Sequence, residues 1–262
     1  MMEYIKNGTC IWCKKTKPDV KFNNRPHSIP KSMGSDTIGF DICNDCNHFF
    51  GTIDKTIVPF LSIEVCVNEI FNVIRLNFNH DRNENTHYEF RSIYFNYWHS
   101  RKTLTIKDSF KFKRDFLITF TRQFNRGLYE IFLQEYHRQT EKGLDKKFDR
   151  VREFARWNKG YLPVYSISNV KFFFVENNIS NPIIHFSKMT LEDIDSYGFY
   201  IFYLWGQIFF LEVTSKADIY RSEYLQKQAN LYLLPFDGSE KIIELNNILD
   251  LDFTLRGLST PI

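Results

Sequence analysis

The sequence predicts an α+β protein with a small metal-stapled module at residues 1–55 and a larger domain of helices and an antiparallel sheet at residues 56–262. Two Cys-x-x-Cys pairs lie in an N-terminal segment that is rich in Gly, Pro, Asn and Asp and poor in long apolar runs. Such a segment has too few core-forming residues to fold without a staple. After Gly51 the chain changes to long apolar stretches, which places the module boundary near residue 55.

The larger domain shows first helical and then strand-like patterns. Apolar residues from Arg122 to Glu141 recur at helical spacing, and a second amphipathic helix is predicted at about residues 145–158 with Trp157 facing inward. Residues 56–75 fit a helix or a strand. Two helices followed by strands predict an α+β domain with an antiparallel sheet. The strand-like runs are Tyr161–Ile167, Val170–Val175, Pro182–Phe186, Phe199–Leu204 and Gln207–Thr214.

The bulk composition fits a globular chain and leaves its partner open. Hydrophobic residues make up 43% of the 262, charged residues 25%, and the formal net charge is +3. A charge this small does not by itself indicate binding to nucleic acid. Between Arg75 and Arg126, however, eleven Lys or Arg stand against five Asp or Glu. This excess fits either a solvated surface or a face that binds a nucleic-acid backbone.

Neither the N-terminus nor the most apolar segment indicates a membrane protein. MMEYIKNGTC lacks the basic start and apolar stretch of a secretory signal. The segment Tyr197–Val213 is shorter than a typical span and contains Gly198, Gly206 and Gln207. Its two aromatic and β-branched runs favour a buried β-hairpin instead. We therefore expect a soluble, cytoplasmic protein without membrane contact.

The two cysteine pairs, Cys10/Cys13 and Cys43/Cys46, predict a zinc site. Zinc favours four ligands in a tetrahedron, and each Cys-x-x-Cys turn supplies two thiolates. The alternative, a redox dithiol, usually appears as a single pair at the start of a thioredoxin-like helix. Four thiolates leave no position for water, so the predicted Zn²⁺ is structural. The fifth cysteine, Cys66, stands in an apolar run and is expected to be a small buried hydrophobe.

Residues between and after the pairs carry a resemblance to a known family. The matching stretches are CIWC, PHSIPKSMGS and CNDCNHFFG, which begin at Cys10, Pro26 and Cys43. Together they resemble the zinc-stapled branch of the HNH endonucleases, and a weaker similarity continues to about Val164. The resemblance implies a ββα-metal module followed by an accessory domain that positions substrate or meets a protein partner. It also implies a metal-dependent endonuclease that hydrolyses DNA phosphodiester bonds, in settings such as restriction or phage defence.

The resemblance also implies roles for individual residues. His27 takes the position of the general base, which removes a proton from the attacking water. Asn47 takes the position of a ligand to a catalytic divalent ion such as Mg²⁺. Basic residues around the proposed site would bind phosphates without reading sequence. The two nearest are Arg25 and Lys31, and the others are Lys14, Lys15 and Lys17.

The chain departs from the family pattern at Pro26, where the family has Glu or Asp. Proline cannot ligate a metal, and three possibilities stay open. The first is a substitute acid, for which the candidates are Asp36, Asp41 and Asp54. The second is that His48 joins Asn47 as a ligand, and the third is a zinc ribbon that binds nucleic acid or a protein without cleavage. Asn47 could also cap the helix after the second pair, and His48 could be an ordinary exposed helix residue.

Overall fold

The computed structural model describes residues 3–55, 57–78, 92–98, 103–168, 182–233 and 240–251. Within these ranges the protein is a mixed α/β structure with six α-helices and two small antiparallel sheets. No helix in these ranges combines the length and the apolar character needed to cross a bilayer. The helices are α1 (Asn44–Gly51), α2 (Ile63–Phe78), α3 (Arg114–Thr140), α4 (Asp149–Trp157), α5 (Lys188–Tyr197) and α6 (Ala217–Tyr232). The strands are β1 (Phe95–Trp98), β2 (Thr103–Ile106), β3 (Val164–Ser168), β4 (Phe199–Leu204), β5 (Gln207–Glu212) and β6 (Lys241–Glu244).

The long helix α3 is the centre of the molecule. It begins at Arg114, eight residues before the predicted start, and ends at Thr140, where Glu141 turns the chain with a positive φ of 61°. Most of its side chains are buried, including polar ones, because other elements cover it on several sides. Helix α2 lies against it at Gly127, where an added Cβ would stand 2.1 Å from Cγ2 of Val67. The glycine therefore permits the close approach of the two helices.

The segment that fitted either a helix or a strand contains most of helix α2, and the second predicted helix is α4. Residues 63–78 form helix α2, and Cys66 is fully buried in it, as predicted. Helix α4 follows a short 3-10 turn and buries Val151 and Phe154 as expected. The prediction for Trp157 is wrong, because this side chain is 48% exposed at the last turn of the helix. Its ring lies 4.4 Å from the guanidinium of Arg156 instead of in the core.

The four-stranded sheet confirms the predicted antiparallel arrangement, in the order β4-β5-β3-β6. Strands β4 and β5 form the predicted hairpin, and its two turn residues, Trp205 and Gly206, both have positive φ. Such turns match the right-handed twist of paired strands. The predicted strand at Pro182–Phe186 is wrong, because this segment forms no strand and Phe186 stacks on Tyr200. The predicted strand Val170–Val175 lies outside the described residues.

The N-terminal residues have little regular structure besides helix α1. Two isolated antiparallel bridges hold them, Thr9 with Thr16 and His27 with Ile38. Their buried side chains, such as Trp12 and Phe50, belong to the same apolar cluster as residues of α2, α3 and α4. The cysteine-rich segment is thus packed onto the core of the chain, while the domain boundary near residue 55 stays a prediction.

Candidate metal centre and active site

The four paired cysteines form one cluster. Their sulfur atoms all lie within 4.8 Å of one another, and those of Cys13 and Cys43 are 3.7 Å apart. A tetrahedral zinc with bonds of about 2.3 Å to sulfur requires sulfurs about 3.8 Å apart. A disulfide would require about 2.05 Å. The cluster could therefore hold a structural zinc ion. In the described part of the chain it is the one such group of His, Cys, Asp or Glu ligands.

A turn and a helix start present the sulfurs. The first pair closes a tight turn in which Lys14 N–H donates to the carbonyl of Cys10 at 2.9 Å, with Lys14 at a φ of 58°. In the second pair, Cys43 is the N-cap residue of α1 and Cys46 lies in its first turn. The backbone N–H of Cys43 donates to the sulfur of Cys10 at 3.4 Å. Hydrogen bonding among the four sulfurs lowers the pKa of two of the thiols, Cys13 and Cys43, and raises the pKa of the other two, Cys10 and Cys46.

Two arginines of α4 support the cluster from outside. Arg156 donates from Nε to the sulfur of Cys46 at 3.5 Å. Arg152 is buried and donates from Nε to the carbonyl of Ile11, inside the first pair, at 2.6 Å. Four thiolates around Zn²⁺ carry a net charge of about −2, and a cation beside a ligand sulfur offsets part of it. Helix α4 thus orients both halves of the cluster, a role that the sequence did not predict.

A polar pocket of about 380 Å³ lies beside the cluster, at the exposed face of α1. It collects all four predicted site residues outside the cysteines. These are His27, Asn47, Arg25 and Lys31. The rest of the lining consists of Pro30, Ser32, His48, Gly51, Thr52 and Glu64.

His27 enters the pocket from a hairpin-like pair of extended segments. It stands opposite Ile38 in an antiparallel bridge, next to a backbone hydrogen bond of 2.9 Å from Gly39 N–H to the carbonyl of Pro26. The Nδ1 atom of His27 is buried and has no hydrogen-bond partner among the described residues. A buried ring nitrogen without a partner is uncommon in folded proteins.

The electrostatic surroundings keep the His27 imidazole neutral. Burial lowers its pKa, and the positive charges of Arg25 and Lys31 lower it further. The negative charge of Asp36 and a hydrogen bond with the backbone of Ser35 oppose this shift without reversing it. A neutral imidazole can accept a proton, so the local charges favour a general base at this position.

Asn47 and His48 reach the pocket from helix α1. Asn47 is half-buried and lies inside the helix, whose N-cap is Cys43, so the structure excludes the N-cap role considered for Asn47. His48 is exposed and lines the same pocket. Gly51 follows Asn47 by four residues, which places both on one face of the helix.

The basic residues divide between the pocket and other contacts. Arg25 and Lys31 are exposed at its rim, and neither forms an ion pair with another described residue. Lys14 pairs with Asp149, and Lys17 pairs with Glu3. Arg25 and Lys31 therefore remain the two cations available to an anion that enters the pocket.

Comparison of the chain with models of protein families, with curated proteins and with solved structures found no match. The family resemblance therefore rests on the motifs quoted above and on nothing beyond them.

None of the three acids considered as substitutes for the missing carboxylate lines the pocket. Asp36 is exposed. Asp41 is fully buried, accepts the backbone N–H groups of residues 6–8, and lies 3.2 Å from Nε2 of His137. Asp54 is buried and pairs with Arg126 at 3.3 Å.

The acid that does line the pocket is Glu64, in the first turn of α2. Glu64 lies beyond the predicted module boundary near residue 55, and no sequence motif marks it. Its carboxylate rests on Gly51, where an added Cβ would stand 3.3 Å from Oε2. Burial raises the pKa of the Glu64 carboxyl to about 7.

Proposed function

We propose that the protein is a metal-dependent endonuclease that hydrolyses DNA phosphodiester bonds in this pocket. The cysteine cluster would hold one structural Zn²⁺ and keep the His27 segment and helix α1 in register. The observation that carries the proposal is the convergence of His27 and Asn47 on one pocket, from a hairpin-like segment and from the helix that follows the second cysteine pair. The HNH resemblance implies that arrangement.

The predicted site residues have defined tasks in this reaction. The imidazole of His27 accepts a proton from water as the water oxygen attacks phosphorus. The bond from phosphorus to the 3′-oxygen breaks, and the 3′-oxygen takes a proton from solvent, which leaves a 5′-phosphate and a 3′-hydroxyl. Arg25 and Lys31 bind the flanking phosphates. A divalent ion, when bound, stabilises the negative charge of the transition state.

The polar side chains of α1 fit such an ion. Asn47 and His48 both line the pocket, and their side chains contain an amide oxygen and an imidazole. Mg²⁺ typically keeps several waters and takes only one or two protein carboxylates together with phosphate oxygens of its substrate. A site with few protein ligands is therefore compatible with a hard divalent ion.

One rival function follows from a specific observation. Pro26 is buried and occupies the position of the family's acid. A proline side chain supplies no charge to the pocket. The rival is a zinc ribbon that binds nucleic acid or a protein partner without cleaving it. The two functions differ in whether DNA that is bound is also cut.

Nicking of supercoiled plasmid separates the two. Zinc-loaded wild-type protein is incubated with plasmid in Mg²⁺, Mn²⁺ or Ni²⁺, beside His27→Ala and a control, His185→Ala, whose side chain is exposed outside the pocket. We expect nicking by wild type and control, and at least a hundredfold loss in His27→Ala, in line with removal of a general base. Equal DNA binding by all three proteins without nicking in any metal would establish the rival.

A further inference from the structure

We propose that Glu64 supplies the anionic oxygen of the divalent-ion site, in place of the acid that is absent at Pro26. This inference rests on the proposed function, because it assigns a ligand to the ion of that reaction. It concerns a residue outside the motif-bearing segment, on a different helix from Asn47 and His48.

The first support for this role is the position of Glu64. Its side chain lines the pocket together with His27, Asn47 and His48. The carboxylate lies over the Cα of Gly51, with both oxygens and the carboxyl carbon within 3.8 Å of the place where a Cβ would stand. Because Gly51 shares a helix face with Asn47, the carboxylate stands about one helical turn from the Asn47 side chain.

The backbone around Glu64 holds this position. The hydroxyl of Ser62 donates to the carbonyl of Phe50 at 3.2 Å, which ties the start of α2 to the end of α1. A bridge between Ile53 and Ser62 and a 2.8 Å hydrogen bond from Gln123 to the carbonyl of Leu61 fix the same connection. The two helix ends on either side of the carboxylate are therefore joined by hydrogen bonds.

The surroundings leave the Glu64 carboxylate available. It forms no hydrogen bond or ion pair with another of the described residues, although it is half-buried. The charged form of an acid so placed is unfavourable without a partner, and a bound cation would stabilise it. Carboxylate oxygens are the preferred protein ligands of Mg²⁺ and Mn²⁺. A divalent ion is the cation that fits a pocket which Asn47 and His48 also line.

A simpler role for Glu64 is to stabilise the start of helix α2. An acid in the first turn of a helix stabilises it through the helix dipole, and that effect needs no divalent ion. Binding of the ion itself distinguishes the two roles, because a helix-dipole role changes stability but leaves the affinity for an ion unaffected.

The test measures Mn²⁺ binding to full-length, zinc-loaded protein in the absence of DNA, by electron paramagnetic resonance of the free ion. The variants are Glu64→Gln, Glu64→Asp and a control, Glu192→Gln, which removes one acid whose side chain is 63% exposed on α5. We expect one Mn²⁺ per wild-type chain, at least tenfold weaker binding in Glu64→Gln, an intermediate affinity in Glu64→Asp and no change in the control. Glu64→Gln should also recover nicking as the Mn²⁺ concentration rises.

The outcomes separate this inference from the proposed function. If His27→Ala abolishes nicking while Glu64→Gln binds Mn²⁺ within threefold of wild type, the ligand role of Glu64 is wrong and the nuclease stands. If wild type never nicks but loses Mn²⁺ through Glu64→Gln, the ion site stands and the nuclease is wrong. Absence of Mn²⁺ binding by wild-type protein overturns the ligand role.

Discussion

The carboxylate of Glu64 lies directly against Gly51, so close that a Cβ on Gly51 would stand 3.3 Å from Oε2. The contact joins the last residue of α1 to the first turn of α2. A side chain at position 51 would require the carboxylate to shift by a few tenths of an ångström. The contact therefore links the CNHFFG segment, which is visible in the sequence, to an acid that the sequence analysis did not select.

Gly51→Ala should separate stability from activity. Alanine favours a helix over glycine by about 1 kcal/mol in a helix interior, so at this helix end we expect an unchanged or slightly higher free energy of unfolding. The new methyl group would displace the Glu64 carboxylate by a few tenths of an ångström, and we expect severalfold weaker Mn²⁺ binding. Urea denaturation and Mn²⁺ titration measure the two effects. A variant that binds Mn²⁺ as wild type does would show that the position of the carboxylate is not critical.

The raised pKa of Glu64 predicts a pH-dependent effect on stability without divalent ions. The folded-state pKa of about 7 lies above the ordinary value of 4.5, so the folded protein holds this proton more tightly than the unfolded chain. The resulting stabilisation is complete below about pH 4.5 and is lost as the pH rises through about 7. A second acid, Glu130, lies nearby, and both its burial and the charge of Glu64 raise its pKa.

Glu64→Gln should therefore match wild type in thermal stability near pH 4.5 and exceed it at pH 8. The difference should grow between these values and then level off. Thermal unfolding in a chelator-free, divalent-free buffer measures it, with Glu192→Gln as the control for loss of one charge. A difference that does not vary with pH would contradict the buried position of the carboxyl.

Loss of the cysteine cluster should unfold the N-terminal segment. Metal analysis of wild-type protein should give one zinc per chain, and Cys43→Ser should retain less than a tenth of that amount. Because structural zinc sites contribute directly to folding, we expect Cys43→Ser to become sensitive to protease within the first 55 residues. The control is Cys66→Ser, which alters a buried thiol outside the cluster. Normal folding of zinc-free Cys43→Ser would remove the structural role of the metal.

Asp41 should be essential for attaching the N-terminal segment to α3. Its carboxylate accepts the N–H groups of residues 6–8 and lies next to the buried ring of His137. Asp41→Ala would remove the acceptor of these N–H groups and leave the buried His137 ring without this partner. We expect a loss of about 1–3 kcal/mol in the free energy of unfolding, which urea denaturation measures. Asp19→Ala, at an exposed acid, should change it by less than about 0.5 kcal/mol.

The metal cluster and the hairpin of the sheet were the most predictable parts of the molecule. The spacing within each cysteine pair encodes a local geometry, a tight turn for Cys10 and Cys13 and a helix start for Cys43 and Cys46, and the structure brings all four sulfurs together. The hairpin β4–β5 follows from two apolar runs on either side of Trp205–Gly206. The positive φ angles of these two turn residues depend little on contacts with distant parts of the chain. Both features depend on residues that are close in sequence.

The features that were missed depend on contacts between distant residues. Glu64 comes after a change in composition, and the boundary drawn there separated it from the pocket that it lines. Arg156 reaches Cys46 across 110 positions of sequence, and no local pattern marks it. Trp157 has helical spacing but lies at an exposed helix end, where periodicity no longer determines burial. Such contacts follow from how the helices pack, which the pattern of a single sequence does not contain.

The chemistry of the DNA ends tests the central claim most directly. If His27 activates water at this pocket, nicked plasmid from the wild-type protein should carry 3′-hydroxyl and 5′-phosphate ends. A DNA ligase should then reseal the nicks without any prior end treatment, and His27→Ala should give no nicks to reseal. Intact plasmid after incubation with zinc-loaded wild-type protein and Mg²⁺, Mn²⁺ or Ni²⁺, or nicks with 3′-phosphate ends that ligase leaves open, would contradict the account.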